Sequence, residues 1–188
     1  MLAVGDSEHL PVAEARAGDA KAWDILFRRY QLPLYAYVME LVRHEQTALD
    51  VVQETFINAV RHLKSLREEA RFGSWLFSIA HQKVVQQWRR KGREREWLTD
   101  GMMEGGVEFA TAEAGPDESL VGQEDQAELL KHLERLPLAQ RSVIVLHYLE
   151  DFSIEEIASI TEVPLGTVKS RLHHARLALR KQLEGSSR

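Results

Sequence analysis

The sequence contains no cysteine, which excludes disulfides and thiolate metal sites and fits a reducing compartment. No apolar run approaches the roughly 20 residues that a membrane helix needs. Met1 to Leu10 lack both the basic start and the apolar stretch of an export signal. The expectation is a cytoplasmic protein with no membrane insertion. Alternating strand patterns and internal repeats are also missing. So are paired carboxylates in a metal motif, a phosphate-cradling glycine loop and a nucleophile-base arrangement, so neither an enzyme nor a cofactor is expected.

What is present is enough apolar material for a core: 44% of 188 residues are hydrophobic. The net charge of -5 argues at first against nucleic acid, whose phosphates are neutralised by Lys and Arg. The distribution of charge reverses this. Residues 96 to 125 hold nine acids and no base, whereas residues 1 to 95 carry fifteen bases against twelve acids and residues 126 to 188 nine against eight. Bases concentrate further from Lys83 to Arg95, where Glu94 is the one acid, and from Pro164 to Gln182, where five bases meet no acid. Two basic stretches flank an acidic spacer.

Helical periodicity organises both flanks, which predicts an all-α chain. Asp19 suits the N-cap of a helix with Trp23, Leu26, Phe27, Tyr30, Leu34, Tyr37, Val38 and Leu41 on one face and a kink at Pro33. A second helix, Thr47 to Leu63, turns Leu49, Val52, Phe56, Ala59 and Leu63 inward; a third runs from Phe72 to Arg90 with Trp75 in the core. Residues 96 to 125, with five glycines, Pro116 and one sign of charge, read as a flexible linker. Helices return at Ala127 to Leu136, Leu138 to Leu149, Ile154 to Ile160 and Leu165 to Leu183. The expected architecture is two small helical domains, 1–95 and 126–188, joined by the acidic linker. Thirty residues reach ~30 Å as a coil and at most ~100 Å extended, or roughly 9 to 30 base pairs of duplex.

From Ser153 to Arg176 the pattern is that of a helix-turn-helix, in which two helices cross closely over a short turn. Ala158 is the small crossing residue, Val163 the apolar plug of the turn, and Val168 and Leu172 the buried side of the second helix. Thr167, Lys169, Ser170, Arg171, His173 and His174, with Arg176 one turn on, then occupy its remaining faces. These donors suit base edges and phosphates in a major groove. Pro164 opens the helix and leaves its first amides facing outward. The alternative is a basic, solvated helix over an ordinary core. No cysteine or third ligand accompanies His173 and His174, so no metal site is expected.

The run Tyr148 to Ala158, followed by Val163-Pro164-Leu165-Gly166-Thr167-Val168-Lys169-Ser170-Arg171-Leu172, resembles region 4.2 of extracytoplasmic-function (ECF) sigma factors. It departs from the family's common pattern at Thr161-Glu162, where Leu-Gly is usual, and at His174, where Arg is common. Asp50 to Phe56 resembles the region 2.2 helix, and Asp50, Gln53 and Glu54 share one polar face by their spacing. Phe72 to Ala80 resembles region 2.3 and His81 to Arg90 region 2.4. The resemblance implies that Asp50, Gln53 and Glu54 grip the clamp helices of core RNA polymerase, while the C-terminal domain meets its flap. It also implies that the 167–176 face reads the upstream (-35) promoter element, and that His81, Gln82, Lys83, Gln86, Trp88, Arg89 and Arg90 melt the downstream (-10) element. Gln82, Gln86 and Trp88 would hold an extruded base, and Lys83, Arg89 and Arg90 its backbone. The family commonly has Asn and Asp where Gln82 and Gln86 stand, which leaves the captured base open. The acidic linker would lie along the RNA path of the polymerase. An anti-sigma factor is the further partner implied. A stand-alone dimeric regulator is the competing reading, but two unlike basic segments in one chain suit a monomer reading two elements.

Overall fold

The computed structural model describes residues 10–90 and 132–186, and every described element is helical. The acidic segment 96–125 and most of the helix expected from Ala127 lie outside the described residues. The first helix, α1 (Val12–Ala17), stops at Gly18, whose φ of 98° is the left-handed conformation that closes helices. Asp19 then caps α2 (Ala20–Val42) by accepting from the Lys21 amide at 2.8 Å. This helix continues on both sides of the buried Pro33. It ends at Arg43 (φ 54°), whose amide returns to the Met39 carbonyl at 2.9 Å.

His44 caps α3 (Glu45–His62) through Nδ1, which accepts from the Thr47 amide at 3.2 Å. The helix therefore starts two residues before the expected Thr47. Two single-turn 3-10 segments, Leu63–Ser65 and Glu69–Arg71, lead into α4 (Phe72–Arg90). Arg16 of α1 secures this connection, bonding Glu69 at 3.0 Å and the Leu66 carbonyl at 3.1 Å. The core between α2, α3 and α4 is aromatic at its centre. Tyr30 meets Phe72 edge-on with centroids 5.3 Å apart, and Tyr37 packs on Phe77 at 5.5 Å.

In the C-terminal half, α5 (Leu138–Tyr148) is buried through most of its length, including Arg141. The Arg141 guanidinium donates to the carbonyls of Glu134 and Leu136, both at 3.1 Å, and so holds the entry to α5. The next helix, α6 (Ile154–Thr161), begins with a capping box. Ser153 Oγ accepts from the Glu156 amide at 3.2 Å, while the Glu156 carboxylate accepts from the Ser153 amide at 2.9 Å. Glu162 (φ 56°) ends α6, and after Val163 and Pro164 the last helix, α7, runs Leu165–Ser186.

The two halves pack together. Helices α4 and α6 are in contact, as are α2 and α5. Phe152, 4% exposed, meets Phe77 edge-on at 4.9 Å, and Arg141 also donates to the Glu40 carbonyl at 3.0 Å. Arg43 pairs with Glu134 at 2.5 Å, and Gln82 donates to Glu162 at 2.5 Å.

Candidate functional site

The helix-turn-helix has the internal geometry its sequence requires. Val168 and Leu172 are buried against α5 and α6, and Ala158 and Val163 pack on the same core at the crossing. The turn is tied by the Val163 amide to the Ala158 carbonyl at 3.3 Å. Glu162 adopts the left-handed conformation at the position where glycine is common, so the turn keeps its shape at some backbone cost. With this side of α7 buried, Lys169, His173, His174 and Arg176 are exposed, and Thr167 and Ser170 are half-buried. Ser170 Oγ lies 3.5 Å from His174 Nδ1, and the rings of His173 and His174 meet edge-on at 5.7 Å. Arg176 lies over the Tyr148 ring, 5.5 Å from its centroid. Among the described residues no group of three His, Cys, Asp or Glu stands where it could hold a metal ion.

Arg171 differs from its neighbours. It is half-buried, and its charge is felt by His81 on α4. His81 is itself 2% exposed and hydrogen-bonded through Nδ1 to the Tyr37 hydroxyl at 2.7 Å. Burial first, and then the charge of the Arg171 guanidinium, push its pKa down to about 3. His81 therefore stands in the interior of this arrangement rather than on a DNA-facing surface. The other α4 residues are distributed unevenly. Gln82, Gln86, Arg89 and Arg90 are exposed, and Trp88 is half-buried against the core. Lys83 bonds Glu54 at 2.8 Å. Two residues assigned from sequence to different partners thus meet across the α3–α4 contact.

On α3, Asp50 and Gln53 are exposed with Glu54, and Asp50 accepts from Gln46 at 3.0 Å. Beside them lies a feature that helical periodicity misassigned. Phe27 and Leu49, expected inside, are 42% and 46% exposed. With Leu32, Ile57 and Val60 they line a groove of about 660 Å³ between α2 and α3. Gln53 borders it, which places a polar member of the expected polymerase-binding face at the rim of an apolar trough. The excess width of the apolar face on α2 was the signal available in the sequence.

One further buried acid was missed. Glu150 is 4% exposed in the turn after α5, and burial, followed by the charge of Asp151, raises its pKa to about 8.

The Sigma-70 region 2 family model matches residues 26–94, and the Sigma-70 region 4 model matches residues 126–179. RNA polymerase sigma-H factor of Pseudomonas aeruginosa is 32% identical over 178 residues, covering 92% of both chains. The ECF sigma factor SigW of Bacillus subtilis is 30% identical, covering 92% of this chain and 94% of its own. Among solved structures, the sigma factor RpoE in complex with the anti-sigma factor NepR from Bartonella quintana has a TM-score of 0.64 at 28% identity, covering 88% of this chain and 98% of that one. CnrH in complex with the cytosolic domain of CnrY shares the fold, with a TM-score of 0.67 at 24% identity over 96% and 99% of the two chains. The chain belongs to the extracytoplasmic-function sigma factors, non-catalytic subunits that give RNA polymerase its promoter specificity.

Proposed function

We propose that this chain recruits core RNA polymerase through the α2–α3 groove and its rim, Asp50, Gln53 and Glu54, and reads two promoter elements with two separate helices. The exposed face of α7 supplies upstream contacts. Arg171 and Lys169 have the donors for guanine or phosphate, and Thr167 and Ser170 for base edges or backbone. His173, His174 and Arg176 extend the same face. At the downstream element, Gln82 and Gln86 are the exposed amides for an extruded base, Trp88 offers a ring for stacking, and Lys83, Arg89 and Arg90 offer cations for the backbone. His81 supports this segment from beneath by its bond to Tyr37. The observation that carries the reading is the pairing of a capped helix-turn-helix with a second, unlike basic helix in one chain. The chain acts in the cytoplasm, on the polymerase that its sigma-factor relatives are named for. The solved complex of RpoE with the anti-sigma factor NepR supports a partner of the anti-sigma kind for this chain too.

In vitro transcription by core polymerase with and without the chain, alongside promoter binding by the chain alone, tests this. Promoter-dependent transcripts that require both the chain and core polymerase are expected. Tight promoter binding by the chain alone, with core polymerase left silent, contradicts the proposal.

A further inference from the structure

Gly166 meets no requirement of the fold. It lies in the first turn of α7, where the amides of Thr167 and Val168 return to the Pro164 carbonyl at 2.9 and 3.2 Å. A Cβ built on it would meet nothing within 4 Å, and its φ is outside the left-handed range that favours glycine. Gly18, by contrast, is held at φ 98° where it closes α1. Alanine or leucine would fit at position 166 and favour the helix more than glycine does.

Its place on the helix supplies a reason from outside the fold. Gly166, Ser170, His173 and Leu177 follow one another at helical spacing on the side of α7 turned away from the buried Val168 and Leu172. Along this stripe the side chains lengthen, from none at Gly166, through the half-buried Ser170 and exposed His173, to Leu177, which is 50% exposed about 16 Å further on. A rigid body laid on this face comes nearest to the backbone at Gly166 and is held off at Leu177. We propose, resting on the function above, that the upstream promoter duplex takes the space a side chain at position 166 would fill, so that Gly166 sets the depth and tilt with which α7 enters the major groove. A helix with its side chains is about as wide as that groove, roughly 12 Å, so clearance is small. A side chain at 166 lifts the first turn and draws Thr167, Lys169 and Ser170 away from the base edges. Gly166 is thus a positioning residue, acting through the readers that follow it.

Gly166→Ala and Gly166→Leu, both favourable changes in a helix, test this in the holoenzyme. The probes are fluorescent duplexes that the parent holoenzyme has selected from a randomised promoter library, each paired with a copy whose upstream element is scrambled. Affinity for the intact duplex is expected to fall for alanine and further for leucine, with the leucine loss at least about tenfold. Affinity for the scrambled duplex and co-elution with core polymerase should stay within about twofold of the parent, and the melting temperature of the chain should equal or exceed the parent's. A leucine loss under tenfold, an equal loss on intact and scrambled duplexes, or a loss accompanied by a lowered melting temperature overturns the role of Gly166 and leaves the sigma reading intact. If the parent chain neither selects duplexes nor yields transcripts with core polymerase, the sigma reading itself fails, and the role of Gly166 falls with it.

Discussion

Phe77 in the middle of α4 and Phe152 in the turn before α6 meet edge-on with ring centroids 4.9 Å apart, and this pair joins two helical units whose sequences are separated by the acidic segment. Phe152 is 4% exposed, so truncation removes most of a buried ring. Phe152→Ala should destabilise the folded chain by about 3 to 5 kcal/mol. Denaturant unfolding measures this; a loss well under 1 kcal/mol would mean that the pair contributes little.

Arg171→Ala separates base reading from phosphate contact. If its guanidinium makes a bidentate base contact on the promoter, the variant should lose about 1 to 3 kcal/mol of discrimination at a single upstream position. Lys169→Ala, by comparison, should weaken binding about equally on all sequences and reduce the salt slope by about 1. Holoenzyme affinities on single-base promoter variants at two or more salt concentrations distinguish the two patterns.

Two buried groups set a pH window for the packed state. The Glu150 pKa is raised to about 8, so its neutral form favours packing fully at low pH, and that contribution is lost as pH rises from the usual carboxylate range towards 8. The His81 pKa is depressed to about 3, so its contribution is full above the ordinary histidine range and is lost as pH falls towards 3. Asp151 beside Glu150, Tyr37 from α2 and Arg171 from α7 are the other ionisable groups acting on this pair. Opposite slopes offset one another between about pH 4.5 and 6.5. Thermal stability should therefore be greatest near pH 5 to 6, and Glu150→Gln should flatten the decline between about pH 6.5 and 8 while leaving the acid limb in place. An unchanged alkaline decline would remove Glu150 as its source.

Leu49 is exposed at 46% in the α2–α3 groove, so a charge there should cost the fold little. Leu49→Asp is expected to weaken co-elution with core polymerase at least tenfold while leaving the unfolding midpoint nearly unchanged. A variant that binds core polymerase normally would place the docking surface elsewhere.

The parts of this structure that were legible in the sequence are those set by local chemistry. Asp19 and Ser153 cap helices as their side chains allow, and α4 spans Phe72 to Arg90 as its periodicity indicates. Val168 and Leu172 are buried as the helix-turn-helix pattern requires. The early start of α3 was hidden because its cap is His44, a residue rarely used for that purpose. Phe27 and Leu49 were assigned inward because periodicity reports an apolar face without saying whether another part of the same chain covers it. The burial of His81 depends on a hydroxyl 44 positions away, on Tyr37, and the pairing of Lys83 with Glu54 depends on how α3 and α4 meet. Neither has a local signature. The contact of α6 with α4 is of the same kind, since Gln82 and Glu162 are 80 positions apart.

The most direct measurement is selection of bound duplexes from a randomised promoter library, followed by sequencing, with core polymerase present and absent. Two unlike enriched motifs at a fixed spacing, appearing only with core polymerase, are the predicted result; a single palindromic motif, bound without the polymerase, would contradict a chain that reads two elements as part of the holoenzyme.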